Sequence, residues 1–222
     1  MPLVTVVIPT YNAARYLGEA IDSVLAQTYL PVELIVVDDG STDETPTLVR
    51  AYANRLHYHR QENRGFANAL NTGISLARGQ WIAWLSADDA FLPTKLERQA
   101  HHLLYHPEIA VSYTAYFEVN ESGHRLREVR VRPPYDNHVT PSSLLHGCYV
   151  NGSTCLFRRE VFEKSGLFDE SIGPSADWEM WIRIAHQWRF GYLSEPLVYY
   201  RVHPHMTSRR ADLMERSSSK AL

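Results

Sequence analysis

The feature that most constrains the fold is the alternation of short apolar runs with helical periods in the first half of the chain. Leu3 to Ile8 and Glu33 to Val37 are near-continuous apolar runs, as expected for parallel strands buried on both faces. One face of the helical period between them carries Leu17, Ala20, Ile21, Val24 and Leu25. The pattern continues as β-α-β-α-β-α-β-α, which predicts an α/β fold with a mostly parallel sheet flanked by helices.

The other elements follow from the same signals. In the first half we predict helices at 43–53 and 66–77, strands at 56–59 and 80–85, and a helix from Pro93. In the second half we predict strands at 110–119, 154–157 and 197–202, and helices at 142–146, before Ser165 and from Asp177. The polar stretch from Glu121 to Thr140 suggests a loop or lid. We expect one domain with a regular first half (1–109) and a less regular second half (110–208), followed by a flexible tail (209–222).

Composition excludes several classes of protein. Lys and Arg number 22 against 25 Asp and Glu, for a net charge of −3, and the pI is about 6.4. A protein that grips a nucleic-acid polymer is usually basic, so any phosphate-bearing partner should be small. Two cysteines make no disulfide framework, and the histidines show no zinc spacing. Without an apolar run of membrane-spanning length or a signal peptide, we expect a cytoplasmic protein.

Polar and acidic residues follow three of the predicted strands. They are Pro9-Thr10-Tyr11-Asn12, then Asp38-Asp39-Gly40-Ser41, and Ser86-Ala87-Asp88-Asp89. Taken alone, each group could simply form a turn or cap the start of the next helix. Because open α/β sheets bind ligands beyond the carboxyl ends of their strands, their recurrence at three strand ends favours a binding site.

The chemistry of these groups suits a nucleotide diphosphate. Asp39 can accept a hydrogen bond from a base, Tyr11 offers a ring for stacking, and Asp88 can accept from ribose hydroxyls. Asp89 offers a hard oxygen ligand to Mg²⁺ or Mn²⁺, which bind through one or two carboxylates plus substrate phosphates. The chain has neither GxGxxG after the first strand nor GxxxxGK[ST], so a dinucleotide dehydrogenase or a P-loop NTPase is disfavoured.

An ordered set of motifs runs from Val4 to about Ser208: VVIPTYN, ELIVVDDGSTD, ENRGFANALNTGI, GQWIAWLSADD and SADWEMWIRI. Together these motifs resemble the family 2 glycosyltransferases. The resemblance implies the GT-A fold, in which a Rossmann-like nucleotide-sugar-binding half (1–109) merges with an acceptor-binding and catalytic half (110–208). It also implies a metal-dependent, inverting glycosyltransferase of the hexosyltransferase type, which uses Mn²⁺ or Mg²⁺ to move a sugar from a nucleotide sugar to an acceptor hydroxyl.

The resemblance also implies roles for residues of the donor site. Pro9, Tyr11 and Asp39 match base-contacting positions, and Asp38 beside them either contacts the nucleotide or supports the loop. Arg64 lies where some relatives carry a phosphate-contacting arginine.

Further matches concern the metal and the catalytic base. Asp88 is assigned to the ribose and Asp89 to the metal, and His203 matches a position near the metal and diphosphate. Ser86 departs from the family pattern, since many relatives have a further Asp there. Asp177 matches the proposed catalytic base.

The predicted helix from Asp177 leaves alternative interpretations open for several of its residues. Asp177 could simply cap the predicted helix, and Glu179 is the fallback base. On the same helix we expect Trp181 in the core, while Trp178 could face either the core or a sugar.

The predicted partners are a nucleotide-diphosphate sugar, with a UDP-sugar favoured, and a glycan or lipid-linked acceptor. We expect transfer of a single sugar in glycan or cell-surface polysaccharide synthesis, because the QxxRW pattern of processive synthases is missing. No nucleic-acid polymer is expected, and at most peripheral contact with the inner face of the membrane through Arg209 and Arg210. The alternatives are a sugar nucleotidyltransferase and a non-catalytic nucleotide-sugar or glycan-binding module.

Overall fold

The structure, a computed structural model, describes residues 1–131, 139–209 and 211–221. Its strands are β1 (Val4–Thr10), β2 (Val32–Asp38), β3 (His57–Arg60), β4 (Trp81–Trp84), β5 (Ala90–Phe91), β6 (Ile109–Val119), β7 (Arg125–Val129), β8 (Leu156–Arg158) and β9 (Arg189–Arg201). Its α-helices are α1 (Ala14–Leu25), α2 (Thr45–Arg50), α3 (Phe66–Leu76), α4 (Lys95–Tyr105), α5 (Pro141–Leu144), α6 (Arg159–Ser165), α7 (Ala176–Ala185) and α8 (Ala211–Ala221). The α/β fold expected from the sequence is confirmed.

A single sheet runs through both halves of the chain. Its strand order is β3-β2-β1-β4-β8-β6-β9-β5, and β7 pairs with β6. The pairs among β3, β2, β1 and β4 are parallel, as is β6 with β9. β8 runs antiparallel to β4 and β6, and β5 runs antiparallel to β9. The carboxyl ends of β2, β1 and β4 therefore lie side by side at one edge.

Strand β1 is buried on both faces because helices cover each side of the sheet. Val6 and Ile8 join the core cluster that contains the apolar face of α1, while Val7 joins the cluster that contains α3. Helix α3 approaches the sheet closely at Gly73, where an added Cβ would lie 2.2 Å from Val7 Cγ1. Only glycine fits this contact without displacing the helix.

Stacked aromatic rings join the second half to β4. The ring of Trp84, at the end of β4, lies parallel to that of Trp181 at 5.4 Å and to that of Phe157 at 5.7 Å. Trp181 is fully buried, as expected, and its Nε1 donates to Val150 O. Helix α7 is thereby packed directly against β4, which leads into residues 86–89, referred to below as the acidic loop.

Strand β9 begins earlier than predicted and β5 was not predicted, and two segments expected to be irregular contain regular structure. The predicted loop from Glu121 to Thr140 contains β7, whose mostly exposed residues carry no apolar period that would reveal it; residues 132–138 lie outside the described part. The predicted flexible tail contains helix α8, in which Ser217 is buried and bonds to Ser175 N and Ile172 O. Its serine run is a weak helix signal, and tertiary contacts override it. Arg210 is also outside the described residues.

Helices in the described ranges fall short of the length and apolarity needed to cross a bilayer.

Candidate active site

The loops after β1 and β2 are held together by Asn12 and Ser41. Asn12 adopts a left-handed conformation (φ 49°), and its Oδ1 accepts from Thr42 N at 2.8 Å. In return, Asn12 N donates to Ser41 Oγ at 2.9 Å. Tyr11, which precedes this turn, is 51% exposed while Pro9 is buried in β1. The ring of Tyr11 is thus free to stack on a ligand at this edge.

Asp38 supports the β2 loop. Its side chain is fully buried, with Oδ1 accepting from Ser41 N at 2.8 Å and Oδ2 from the Tyr58 hydroxyl at 2.6 Å. Arg60 Nε lies 3.5 Å from Oδ2. A carboxylate enclosed in this way has little access to a ligand, which favours the loop-supporting alternative.

Asp39 anchors the start of α3. Its Oδ1 accepts from Arg64 N at 2.9 Å and Gln61 Nε2 at 2.8 Å, and its Oδ2 accepts from Gly65 N at 2.7 Å. Since a carboxylate offers about four acceptor positions, these three bonds leave room for one more donor. Gly65, with φ 92°, lets the chain turn into the helix.

The Arg64 side chain points away from this anchor. It is 65% exposed, and its Nη2 lies 3.9 Å from Glu170 Oε2. Such a long, exposed contact stabilises little, so the guanidinium can turn to an anionic ligand at small cost.

Asp88 and His203 form a pair at the end of β4. His203 Nε2 lies 3.0 Å from Asp88 Oδ2, and the Asp88 side chain is 32% exposed. The ring of Tyr16, on α1, lies 5.3 Å from that of His203. The fold thus brings together two predicted site residues that are 115 positions apart in the sequence.

Asp89, the expected metal ligand, is enclosed by the protein. It is 1% exposed. Oδ1 accepts from Arg201 N at 3.0 Å and Oδ2 from Ser153 Oγ at 2.7 Å. Burial and the neighbouring Asp88 raise its pKa well above the usual range, which disfavours the anionic form that a metal binds. Of the two neighbouring carboxylates, Asp88 is therefore the more exposed one.

The donor set fits a metal that is completed by substrate. In the described part of the chain, no cluster of three or more His, Cys, Asp or Glu side chains is arranged to hold an ion. Asp88 and His203 offer one oxygen and one nitrogen. Mg²⁺ and Mn²⁺ commonly bind through one or two protein groups and substrate phosphates. The pair therefore suits an ion that arrives with a nucleotide diphosphate.

Asp177 is the second residue of α7, and the N-cap position belongs to Ser175. The capping alternative is therefore wrong for Asp177. The side chain is half-buried, and its Oδ1 accepts from Trp178 N at 2.8 Å. Burial raises its pKa to about 6. A carboxyl with this pKa is more basic than an exposed one and still ionised at neutral pH.

Glu179, the alternative candidate for the base, is already engaged in an ion pair with Arg183. Its two oxygens accept from Arg183 Nε at 2.8 Å and Nη2 at 2.7 Å. Trp178 is also held, since its Nε1 donates to Leu144 O at 2.8 Å. Within the described residues, Asp177 Oδ2 has no hydrogen-bond partner, so of the two acidic side chains Asp177 is the one with an available oxygen.

The loop before β8 connects the acidic loop to α7. Ser153 Oγ accepts from Ser86 N at 3.1 Å and donates to Asp89, and Val150 O in the same loop accepts from Trp181 in α7. The serine at position 86 takes part in this contact through its backbone and, at 3.3 Å, its hydroxyl.

Sequence reasoning missed several residues that build the site. Arg201 and Ser153 hold the acidic loop, while Gln61 bridges Asp39 and Asn68. The one signal that could have suggested Arg201 is its position directly after the apolar run LVYY.

Comparisons with known proteins agree with this fold. Residues 5–166 match the family Glycosyl transferase family 2. An uncharacterized glycosyltransferase of Rickettsia prowazekii is 38% identical over 215 residues, or 95% of this chain and 67% of the relative.

Two solved structures are similar. S. aureus TarS in complex with UDP-GlcNAc is 23% identical with a TM-score of 0.78, over 96% of this chain and 64% of that one. The mannosyltransferase PcManGT from Pyrobaculum calidifontis, in complex with GDP-Man and Mn²⁺, is 26% identical with a TM-score of 0.75, over 99% and 64%. The chain thus spans about two thirds of the length of these three proteins. From the family match and this relative, the chain belongs to glycosyl transferase family 2 and is a glycosyltransferase enzyme.

Proposed function

We propose that the protein is a metal-dependent, inverting glycosyltransferase that moves a single sugar from a nucleotide-diphosphate sugar, preferably a UDP-sugar, to an acceptor hydroxyl of a glycan or cell-surface polysaccharide precursor. One observation carries the proposal. Asp88 lies in the loop after β4, is partly exposed and pairs with His203, and β4 itself ends in the Trp84 ring that packs on the helix of Asp177. The loop after β4 and the helix packed against this strand thus carry groups suited to a diphosphate and to a base.

The nucleotide lies across the loops after β1 and β2 in this proposal. Tyr11 stacks on the base, beside Pro9, and Asp39 accepts a base N–H with its remaining lone pair. Arg64 leaves Glu170 and turns to the diphosphate, because a doubly charged ligand attracts the guanidinium more strongly than the exposed carboxylate does.

Asp88 and His203 would hold a divalent ion together with the phosphates. Such an ion would supply charge neutralisation at the diphosphate, so that the leaving group would need no proton donor. Asp89 acts beneath them by fixing the loop through Arg201 N and Ser153.

Asp177 acts as the general base. Inversion requires the acceptor hydroxyl to attack from the face opposite the leaving group, and the carboxylate takes its proton as the new bond forms. Its raised pKa, about 6, makes it a better proton acceptor than an ordinary aspartate.

The complexes of the similar structures support a nucleotide-sugar donor, because TarS holds UDP-GlcNAc and PcManGT holds GDP-Man with Mn²⁺. A sugar nucleotidyltransferase is less favoured, because the loop after β1 lacks glycines and has Arg15 as its nearest cation. A non-catalytic module is less favoured, because binding alone does not require a basic carboxylate such as Asp177.

The first experiment measures thermal stability and calorimetric binding with UDP, GDP and dTDP, each with and without Mn²⁺. A ligand at about 100 times its Kd stabilises a protein by about 2.7 kcal/mol. We expect UDP to give the largest, Mn²⁺-dependent shift. Absent or metal-independent shifts for all three nucleotides would contradict the proposed donor site.

A further inference from the structure

The Arg201 guanidinium is buried beneath the acidic loop and donates from every nitrogen. Nε donates to Asp88 O at 2.9 Å, Nη1 to Asn120 O at 3.1 Å and Glu121 O at 3.2 Å, and Nη2 to Glu19 Oε2 at 2.5 Å. The residue is 2% exposed. Burying an arginine is costly, and the arrangement persists only when the geometry of its hydrogen bonds is favourable, as it is here with at least one bond from each nitrogen.

The partners of Arg201 belong to three separate parts of the fold. Glu19 lies on α1, Asn120 and Glu121 form the β6–β7 turn, and Asp88 lies in the acidic loop. A second pair, Arg15 Nη2 to Glu121 Oε2 at 2.8 Å, also joins α1 to that turn. The guanidinium therefore connects three elements that no backbone ladder connects at this point.

Arg201 also fixes the two sides of the Asp88–His203 pair. Its side chain holds the Asp88 carbonyl, and its position on the chain places His203 two residues later. The ring of Tyr16 packs against both, 4.8 Å from Arg201 Cζ and 5.3 Å from the His203 ring. Any shift of the guanidinium changes the separation of Asp88 and His203.

We propose that Arg201 is a positioning residue that sets the divalent-cation affinity of the donor site, by holding the Asp88 backbone and the β6–β7 turn in register with His203. The inference rests on the proposed function only for the identity of the bound ion. It predicts a role for the β6–β7 turn in metal binding, although the turn itself offers only backbone carbonyls to Arg201.

Lysine cannot replace Arg201 in this role. Its ammonium is one compact charge with three donors, whereas the guanidinium spreads five donors in a plane toward separate acceptors. Arg201→Lys keeps the charge that faces Glu19 but leaves carbonyls of Asp88 or the turn without partners.

The test compares Arg201→Lys with Arg127→Lys as the matched control. Arg127 lies on β7, is 68% exposed and pairs with Glu118, so its substitution removes an arginine from the same hairpin without touching the acidic loop. For each variant we would measure UDP binding against Mn²⁺ concentration, UDP binding without metal, melting temperature, and hydrogen exchange of residues 86–90 in metal-free protein.

We expect Arg201→Lys to weaken the apparent Mn²⁺ affinity by about tenfold or more, as is typical for groups that orient metal ligands. Metal-free UDP binding should remain within about twofold of wild type, since base contacts lie elsewhere. Exchange in residues 86–90 should accelerate. Arg127→Lys should match wild type in all measurements.

Two results separate the possible failures. A folded Arg201→Lys variant with unchanged Mn²⁺ affinity and unchanged exchange overturns the positioning role while the proposed function stands. A wild-type protein without Mn²⁺-dependent UDP binding overturns the proposed function, and exchange then still tests the positioning. If Arg201→Lys does not fold, Glu19→Gln is measured instead; it should weaken Mn²⁺ affinity in the same direction, and unchanged affinity would overturn the role.

Discussion

Asn71 and Phe168 exchange two hydrogen bonds across the molecule. Asn71 Nδ2 donates to Phe168 O at 2.9 Å, and Phe168 N donates to Asn71 Oδ1 at 2.9 Å. Asn71 is buried on α3, and Phe168 lies in the loop between α6 and α7. The neighbouring Glu170 accepts from Asn71 and Asn68. A single amide therefore ties α3 to the loop that precedes Asp177.

Replacing this amide should destabilise the protein. Asn71→Asp loses the donor to Phe168 O and places a carboxylate beside Glu170, so we expect a loss of about 1–3 kcal/mol, the usual cost of an unpaired buried polar group. Urea unfolding followed by circular dichroism measures this. Asn54→Asp, at an exposed position, is the matched control. If the Asn71→Asp protein were as stable as the control, the hydrogen bonds between Asn71 and Phe168 would not contribute to stability.

Asp88 and Asp89 should respond differently to substitution. Asp88→Asn should fold like wild type and lose Mn²⁺-dependent nucleotide binding, because its half-exposed carboxylate faces the site. Asp89→Asn should retain that binding, since an amide oxygen still accepts one of the two protein hydrogen bonds. Calorimetric titration of UDP with and without Mn²⁺ checks both. The reverse pattern would restore Asp89 as the metal ligand.

Asp177→Asn should abolish transfer yet stabilise the free protein at neutral pH. In the folded protein burial raises the pKa of Asp177 to about 6, above about 4 for an unfolded aspartate. The stability it contributes is present below about pH 4 and lost as pH rises through 6, at most about 3 kcal/mol. The Asn variant lacks this loss.

The measurement is urea unfolding of both proteins at pH 4, 5, 6 and 7.5, with release of UDP from UDP-sugar as the activity readout. Parallel stability profiles would show that Asp177 is not desolvated. Retained transfer by the variant would remove Asp177 as the base.

Lys95 should give the opposite pH dependence on the alkaline side. It is fully buried, with Nζ donating to Cys155 O at 3.0 Å and lying 4.0 Å from the Phe91 ring centroid, and burial lowers its pKa to about 7. Between about pH 7 and 10 the unfolded chain binds a proton that the folded protein does not, so stability rises with pH by up to about 1.4 kcal/mol per unit.

Lys95→Met should remove this slope, because methionine of similar length has no proton to exchange. Stability from guanidinium titrations at pH 7, 8 and 9 gives the comparison. Lys164→Met, on the exposed face of α6, should keep the wild-type slope. An unchanged slope in Lys95→Met would mean that another group is responsible.

Local sequence pattern alone determined most of the fold of the N-terminal half. The apolar runs of β1, β2 and β4 and the face of α1 are set by neighbouring residues, and the right-handed parallel connection brings their carboxyl ends together. The acidic groups after those strands could therefore be placed in one site before any coordinates were known.

Tertiary structure decided what each acidic group does. Asp88 and Asp89 are adjacent in the chain, but which of them faces the cleft depends on Ser153 and Arg201, 64 and 112 positions away from Asp89. Burial and hydrogen bonds from distant elements determine a carboxylate's pKa and access. Contacts of that kind leave no periodic trace in sequence, and for this reason β7, the buried Arg201 and the occupied state of Glu179 emerged only from the folded chain.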